Sequence, residues 1–340
     1  MHQDRQTLVL KIVVERYIRT HEPVASGSVV KEFPTPISSA TIRNDMAALE
    51  REGYLIEPHT SAGRVPTDKG YRQFVDGLSD RDLADPRLKP LKDLLASAPS
   101  MEEGIAGAVK FLSNLTGQVA IGVSPPLSSL FLHRLEIVGK DFLTIILISD
   151  NGQVEKCAME NPGLSKEEIN EEVERINGEL LGHPLSDLAS KISSLTPSCA
   201  KEEKFLEKLS KSLQMSGSKR EVYIYGIDLA YRQMQKDLLA PLLDALEERM
   251  ALLSLMASIS QEGIGVAIGS EIQSSTLSHV SVLSARYGAE GWQALIGSIG
   301  NTYMNYPRAI SSLRGVAECL SDFAFQQFPP ASADRSFNGE

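Results

Sequence analysis

The spacing of chain breakers in the first seventy-eight residues constrains this sequence more than any other feature. Val9, Val13 and Tyr17 recur four apart with Ile12 beside them, while Lys11, Glu15 and Arg19 fall outside the stripe, so the spacing predicts an amphipathic helix. Pro23 ends it, because proline disfavours helical geometry in the residue before it. A short helix is expected over Ser26–Phe33, and Pro34-Thr35-Pro36 breaks the chain again. Ser38 is placed to cap a third helix running to about Glu52, and Gly53 suits the position just past its end. Tyr54-Leu55-Ile56-Glu57 reads as a strand, Pro58 to Gly63 as a turn, Arg64-Val65-Pro66 as a return strand, and Thr67 to Leu78 as a fourth helix.

The remaining sequence carries a different texture. Ser79 to Pro86 is charged and proline-bearing, and residues 79–104 read as a linker. Ser100-Met101-Glu102-Glu103 fits a capping box ahead of a helix from Ile105 to Leu115. Four strand-like runs follow, Gln118–Val123, Leu132–Val138, Phe142–Ser149 and Val154–Met159, joined at Gly139-Lys140-Asp141 and Asp150-Asn151-Gly152 and expected to form one antiparallel sheet. Residues 163–221 then turn helical. A second capping box, Ser165-Lys166-Glu167-Glu168, precedes stripes at Ile169, Val173, Ile176 and Leu180, at Leu185, Leu188, Ile192 and Leu195, and at Leu206, Leu209 and Leu213. Helices this polar must bury their apolar faces against a partner, which marks the segment as an insertion. Strand texture returns at Val222–Ile227. A long helix is expected over Leu238–Ser260, strands over Gly263–Ile268, Ser278–Ser284 and Trp292–Ile299, a helix over Arg308–Phe325, and disorder over 329–340.

Composition bounds the function. The 340 residues, 42% apolar and 23% charged, are enough for about two domains with buried cores. No run approaches the roughly 18 apolar residues of a membrane span, and the opening Met1-His2-Gln3-Asp4-Arg5-Gln6 lacks a secretory pattern. Cys157, Cys199 and Cys319 stand far apart, which excludes a disulfide scaffold or a zinc finger and fits a reducing cytoplasm. Net charge is −10, but residues 1–80 hold ten Lys/Arg against eleven Asp/Glu while the other 260 hold 24 against 33. The acid load therefore lies outside the first eighty residues, and the field at one face decides whether a chain can approach DNA.

Catalytic patterns are missing. His2, His21, His59, His133, His183 and His279 are scattered with no metal-ligand spacing, Gly139-Lys140 lacks the upstream glycine of a phosphate loop, and no G-x-S-x-G occurs. Gly263-Ile264-Gly265-Val266-Ala267-Ile268-Gly269 approximates a dinucleotide loop, but its last gap has three residues instead of two and a glycine-tolerant strand is expected. No enzyme, cofactor or metal is indicated.

The order helix, helix, turn, helix, hairpin, helix is that of a winged helix-turn-helix, a fold that binds DNA in some proteins and proteins in others. At about 100° per residue, Ile42, Met46 and Leu49 share one narrow face of the third helix and must pack inward. The opposite side carries Ala40, Thr41, Arg43, Asn44, Ala47, Ala48 and Arg51, with Ser39 at its start. Small residues leave that side slim enough for a major groove about 12 Å wide, where Arg43 and Asn44 suit guanine and adenine edges and Ala40 and Thr41 a thymine methyl or phosphate. A solvated helix face has much the same composition. The hairpin adds His59, Thr60, Ser61 and Arg64 at its tip, and Lys69, Tyr71 and Arg72 start the next helix, all types that contact phosphate.

Three runs in this region closely resemble the HrcA family of bacterial heat-inducible transcription repressors: Pro23-Val24-Ala25-Ser26-Gly27-Ser28, Ser38-Ser39-Ala40-Thr41-Ile42-Arg43-Asn44-Asp45-Met46, and the stretch from His59 to Arg72. The resemblance extends more weakly across the chain, through Asp150-Asn151-Gly152-Gln153-Val154-Glu155 to the last helix. It implies an α+β protein with a winged helix-turn-helix DNA-binding domain over 1–78, a GAF-like antiparallel-sheet domain over 105–162 and 222–328, and a mainly helical dimerising domain inserted at 163–221. It also implies a cytoplasmic homodimer on double-stranded DNA, at the inverted-repeat operator called CIRCE upstream of chaperonin and other heat-shock operons, kept competent by the GroEL chaperonin, with no membrane partner. One stretch departs: the family usually has Gly-Pro-Thr-Arg-Met-x-Tyr, and here Gly300-Asn301-Thr302-Tyr303-Met304-Asn305-Tyr306 lacks both the proline and the arginine. Any contact that arginine makes between GAF-like domains therefore loses its basis. Two rival readings of the residues stay open, a winged-helix regulator sensing a small molecule and a winged-helix protein-interaction module without a DNA role.

Overall fold

A computed structural model describes residues 2–327 apart from 59–62, 84–86, 126–129, 151, 153, 217–220, 234–235, 262, 275–276, 279 and 290–291. The tail expected to be disordered, 329–340, lies outside the described residues. The first helix, α1 (His2–Thr20), buries Val9, Ile12 and Val13 of the expected stripe and, beside them, Leu10 and Val14. His21 closes it in a left-handed conformation at φ 56°, donating its N–H to the Tyr17 carbonyl at 2.8 Å. After α2 (Ser26–Glu32), Ser38 caps α3 (Ser39–Arg51) by accepting the Thr41 N–H at 3.0 Å, and Gly53 turns the chain past its end at φ 80°. Strands β1 (Leu55–Ile56) and β2 (Val65–Pro66) pair antiparallel, with Leu55 opposite Pro66, and lead into α4 (Asp68–Asp76).

The chain continues through α5 (Lys89–Ala96), α6 (Met101–Thr116), β3 (Val119–Val123), β4 (Leu132–Gly139), β5 (Phe142–Ser149) and β6 (Val154–Glu160). Next come α7 (Lys166–Leu180), α8 (Leu185–Ser194), α9 (Ala200–Ser216), β7 (Val222–Tyr225), α10 (Ile227–Gln233), α11 (Lys236–Glu247) and α12 (Arg249–Ile259). Strands β8 (Gly265–Ile268), β9 (Val280–Ala289) and β10 (Trp292–Asn301) precede the last helix, α13 (Tyr306–Gln327). The protein is therefore of mixed α+β class, and no helix among the described residues is long and apolar enough to cross a membrane.

A central antiparallel sheet has the strand order β7-β3-β10-β9-β8. Side chains alternate across it, as the pleat requires. Val119, Ile121, Val282, Leu295 and Ile299 meet α10–α12, while Ala120, Leu283, Ala285, Tyr287 and Ile296 join the core made with α6 and α13. That second core runs unbroken into Val9, Val13, Ile42, Tyr71 and Phe74, so the first four helices share their interior with the central sheet.

Three expectations are corrected. Residues 79–104 are not simply a linker: α5 buries Leu91 and Leu95, four apart on one face, against α6 and α13. The expected single helix over 238–260 is two, because Glu248 at φ −76° and ψ 49° leaves helical geometry between α11 and α12. Most consequentially, β4, β5 and β6 do not continue the sheet of β3 but form a sheet of their own. Leu135, Ile137, Leu143, Ile145 and Leu147 line its inner face and pack on Ile169, Val173, Ile176, Phe205 and Leu209 of α7 and α9. The polar helices thus find their required partner in these strands, and the boundary read at 163 falls inside one packed unit. Asn177 of α7 ties the layers together: its Oδ1 accepts the Leu135 N–H and its Nδ2 donates to the Leu135 carbonyl, both at 2.9 Å.

Candidate nucleic-acid interface

The face of α3 follows from its anchors. Ile42, Met46 and Leu49 are buried, each such side chain stabilising the helix's seat by roughly 1.5–3 kcal/mol. Opposite them Ser39, Ala40, Arg43 and Asn44 are exposed and Thr41 is half-buried. Ser39 Oγ lies 3.2 Å from Ser26 Oγ of α2, and the Thr41 hydroxyl lies 2.8 Å from that of the capping Ser38, so these hydroxyls already have partners. Arg43 and Asn44 carry no side-chain hydrogen bond or ion pair among the described residues.

Sequence reasoning missed what fixes the rotation of α3. Asp45, only 1% exposed, accepts two hydrogen bonds from the Arg5 guanidinium of α1, from Nε at 2.7 Å and Nη2 at 2.9 Å. A carboxylate one position before the buried Met46 was the available signal, since an acid so close to an apolar anchor needs a cation. Arg43 and Asn44 therefore project from a helix pinned by apolar packing and by a two-point ion pair.

The hairpin residues are placed less uniformly. His59, Thr60 and Ser61 lie outside the described residues. Arg64 bridges α3 and the residue just past β1 through ion pairs to Glu50 at 3.0 Å and Glu57 at 3.2 Å, and its backbone exchanges two hydrogen bonds with Val24. Gly63 and Gly70 are required by close approach: a Cβ would stand 2.7 Å from the Pro23 carbonyl carbon and 2.3 Å from the Tyr54 carbonyl oxygen respectively. Lys69 is exposed, donates to the Glu52 carbonyl at 2.8 Å and sits 4.5 Å above the centre of the Tyr54 ring.

Tyr71 and Arg72 do not belong to an outward face. Tyr71 is 3% exposed, its ring centre 5.9 Å from that of the buried Tyr306, and burial pushes both phenols above their usual range. Arg72 reaches in two-point fashion to Glu271 and donates to the Val266 carbonyl at 2.6 Å. Beside it, Asp68 accepts the Ser270 N–H at 2.9 Å. The start of α4 is a dock onto the central sheet's edge, because the basic side chain finds an acid there before it finds solvent.

The family model described as HrcA protein C terminal domain matches residues 102–310, more than half of the chain. The heat-inducible transcription repressor HrcA of Bifidobacterium longum subsp. infantis is 37% identical over 365 residues, covering 95% of this chain and 98% of that protein. The chain belongs to the HrcA family of heat-inducible transcription repressors. Other HrcA relatives include those of Pseudarthrobacter chlorophenolicus, 35% identical over 94% of this chain and 98% of theirs, and of Streptomyces albus G, 32% identical over 93% and 97%. A solved structure of a hypothetical protein at 2.2 Å resolution superposes with a TM-score of 0.67 at 25% identity, covering 95% of this chain and 99% of that one. Tyr303 packs edge-on against His21 and Tyr17, with ring centres 4.9 Å and 6.3 Å apart.

Proposed function

We propose that this chain represses heat-shock operons by placing α3 in the major groove of an inverted-repeat operator of the CIRCE type. The observation that carries the reading is the pair Arg43 and Asn44, exposed and without a side-chain partner among the described residues, on a helix held by Arg5 and Asp45. Arginine and asparagine there match the two-point recognition of guanine and adenine, with Ser39, Ala40 and Thr41 beside them at the helix start. In this reading the first four helices and the β1–β2 hairpin are a winged helix-turn-helix, and Lys69 and the hairpin residues His59, Thr60, Ser61 and Arg64 approach phosphate. The central sheet with helices on both faces is a GAF-like domain, and the unit of β4–β6 with α7–α9 is the dimerising insertion.

Dimerisation gives the operator its symmetry, since two recognition helices held at a fixed distance require two half-sites at the matching spacing. Support comes from the outer face of the β4–β6 sheet, where Val138, Phe142 and Val154 are exposed. Repression in the cytoplasm is then steric and needs no chemistry. Maintenance of the competent state by the GroEL chaperonin comes from the family resemblance; halving the competent fraction doubles the apparent dissociation constant. Footprinting the purified chain on the promoter of its own chaperonin operon, with and without GroEL, tests the reading. Two symmetric protected half-sites, strengthened by GroEL, are expected; equal affinity for operator and random duplex ends it.

A further inference from the structure

The first turn of α4 is held from two sides. Toward α3, the Thr67 hydroxyl donates to the Gly53 carbonyl at 2.7 Å and the Thr67 N–H to the Tyr54 carbonyl at 3.1 Å. The Tyr54 N–H in turn donates to the Leu49 carbonyl of α3 at 2.8 Å. Thr67 also caps α4, accepting the Gly70 N–H at 3.1 Å. The end of α3 and the start of α4 are therefore one block, and whatever orients α4 orients α3.

Toward the central sheet, the same turn meets the 3-10 turn Gly269–Glu271 that follows β8. Asp68 Oδ2 accepts the Ser270 N–H at 2.9 Å, while Arg72, one turn further along α4, pairs with Glu271 and donates to the Val266 carbonyl of β8 at 2.6 Å. The socket is shaped for this contact. Gly269, at φ 47°, comes so near that a Cβ there would stand 2.4 Å from Asp68 Oδ2, and Glu271 is aimed by the Ile268 N–H at 2.9 Å. Apolar burial around Tyr71, Phe74 and Tyr306 holds the two units together but is non-directional. The angle between them is set by the hydrogen bonds, whose donors and acceptors have fixed directions.

We infer, building on the reading of α3 as the recognition helix of a dimer, that the turn Gly269-Ser270-Glu271 determines which half-site spacing the protein accepts. These are positioning residues: they belong to the central unit and act on DNA only through α4 and α3. Each base pair added between two half-sites turns one relative to the other by about 35° and moves it by about 3.4 Å. Two helices fixed at one angle to their central sheets meet both half-sites at one spacing, whereas helices on a loosened dock follow the sites over several.

Binding of the full chain to the footprinted operator, to operators with one or two base pairs inserted or removed between the half-sites, and to a single half-site tests this. The parent should lose roughly tenfold in affinity when the spacing changes by one base pair. The double variant Asp68→Ala/Glu271→Ala should match the parent on the single half-site and bind the natural spacing several-fold more weakly. On changing the spacing it should lose no more than about threefold. Glu271→Ala alone, at an exposed position and with the Asp68 contact kept, should give an intermediate profile, and it decides the matter should the double variant not fold. A fold merely weakened by the substitutions loses affinity on every duplex alike; that result, with the spacing profile of the parent retained, overturns the inference. A parent indifferent to spacing overturns it equally. A parent that prefers neither operator nor half-site to random duplex ends the reading of α3 itself.

Discussion

Arg72 on α4 and Glu271, on the three-residue 3-10 turn Gly269–Glu271, are paired across 199 residues of sequence, Nε to Oε1 at 2.6 Å. The pair joins the N-terminal helices to the edge of the central sheet, and Glu271 is itself oriented by accepting the Ile268 N–H at 2.9 Å. Burial alone would raise the Glu271 carboxyl, but the hydrogen bonds from Arg72 and from the Ile268 backbone outweigh it and leave it lowered. A carboxyl lowered in the folded state stabilises above its unfolded value, about 4.3, and loses that stabilisation as pH falls through the folded value. Both side chains are about one-third exposed, at 29% and 33%, so solvent screens the pair. A double-mutant cycle with Arg72→Ala and Glu271→Gln should give a coupling of roughly 1 kcal/mol at neutral pH. The difference in urea stability between the parent and Arg72→Ala should shrink as pH falls below about 4.3 and through the lowered folded value, leaving the part due to the Val266 carbonyl; an undiminished difference at pH 3 would show that the carboxylate is not the partner that matters.

Arg43 and Lys69 should separate base reading from backbone holding. Arg43→Ala should cost about 1–3 kcal/mol on the operator and relax preference at one base pair, with no change in unfolding midpoint, because exposed Arg43 makes no side-chain hydrogen bond or ion pair among the described residues. Lys69→Ala should weaken operator and random duplex alike and reduce the salt slope by about one. Fluorescence anisotropy at several salt concentrations measures both. Identical losses from the two variants on both duplexes would count against base readout by α3.

Asp45 should couple stability to DNA binding, in contrast to Arg43. Asp45→Asn puts an amide N–H₂ against the Arg5 guanidinium inside the α1–α3 contact, where only acceptors fit. The unfolding midpoint should fall by several degrees and operator affinity should fall with it, since α3 loses its rotational anchor. A stable variant with unchanged affinity would mean that the apolar anchors Ile42, Met46 and Leu49 suffice to orient the helix.

What could be read from sequence tracks the range of the forces involved. The face of α3 was legible because Ile42, Met46 and Leu49 repeat at helical spacing, and the Ser38 cap and the Gly53 turn act within a few residues. Tyr71 and Arg72 were misplaced because the same basic start of a helix serves phosphate or a distant acid, and the deciding partners, Tyr306 and Glu271, carry no local mark. The hairpins of β4–β6 were legible from their turns, but a hairpin looks the same whichever sheet it joins. Only the one-sided burial of β5, Leu143, Ile145 and Leu147 inward against α7–α9, shows that it left the sheet of β3.

In the proposed dimer, a partner copy should sit on that separate sheet. Its inner face is filled by α7–α9, while on the outer face Phe142 is 73% and Val138 51% exposed, with Val138 paired to Thr144 and Phe142 to Glu160 across the strands. Removing 163–221 would strip the helices from the inner face and confuse loss of folding with loss of dimerisation, so a surface charge is the cleaner probe. Phe142→Asp places a carboxylate on the proposed contact and should shift the chain from dimer to monomer in sedimentation, with far-ultraviolet dichroism unchanged. Phe325→Asp, at an exposed position on α13, should leave the dimer intact and serves as the control. Operator affinity should drop with Phe142→Asp because each half-site then binds independently and the advantage of linked binding is lost. Were Phe142→Asp to sediment as the parent does while Phe325→Asp dissociates, the self-association surface would belong to α13 and the central unit instead.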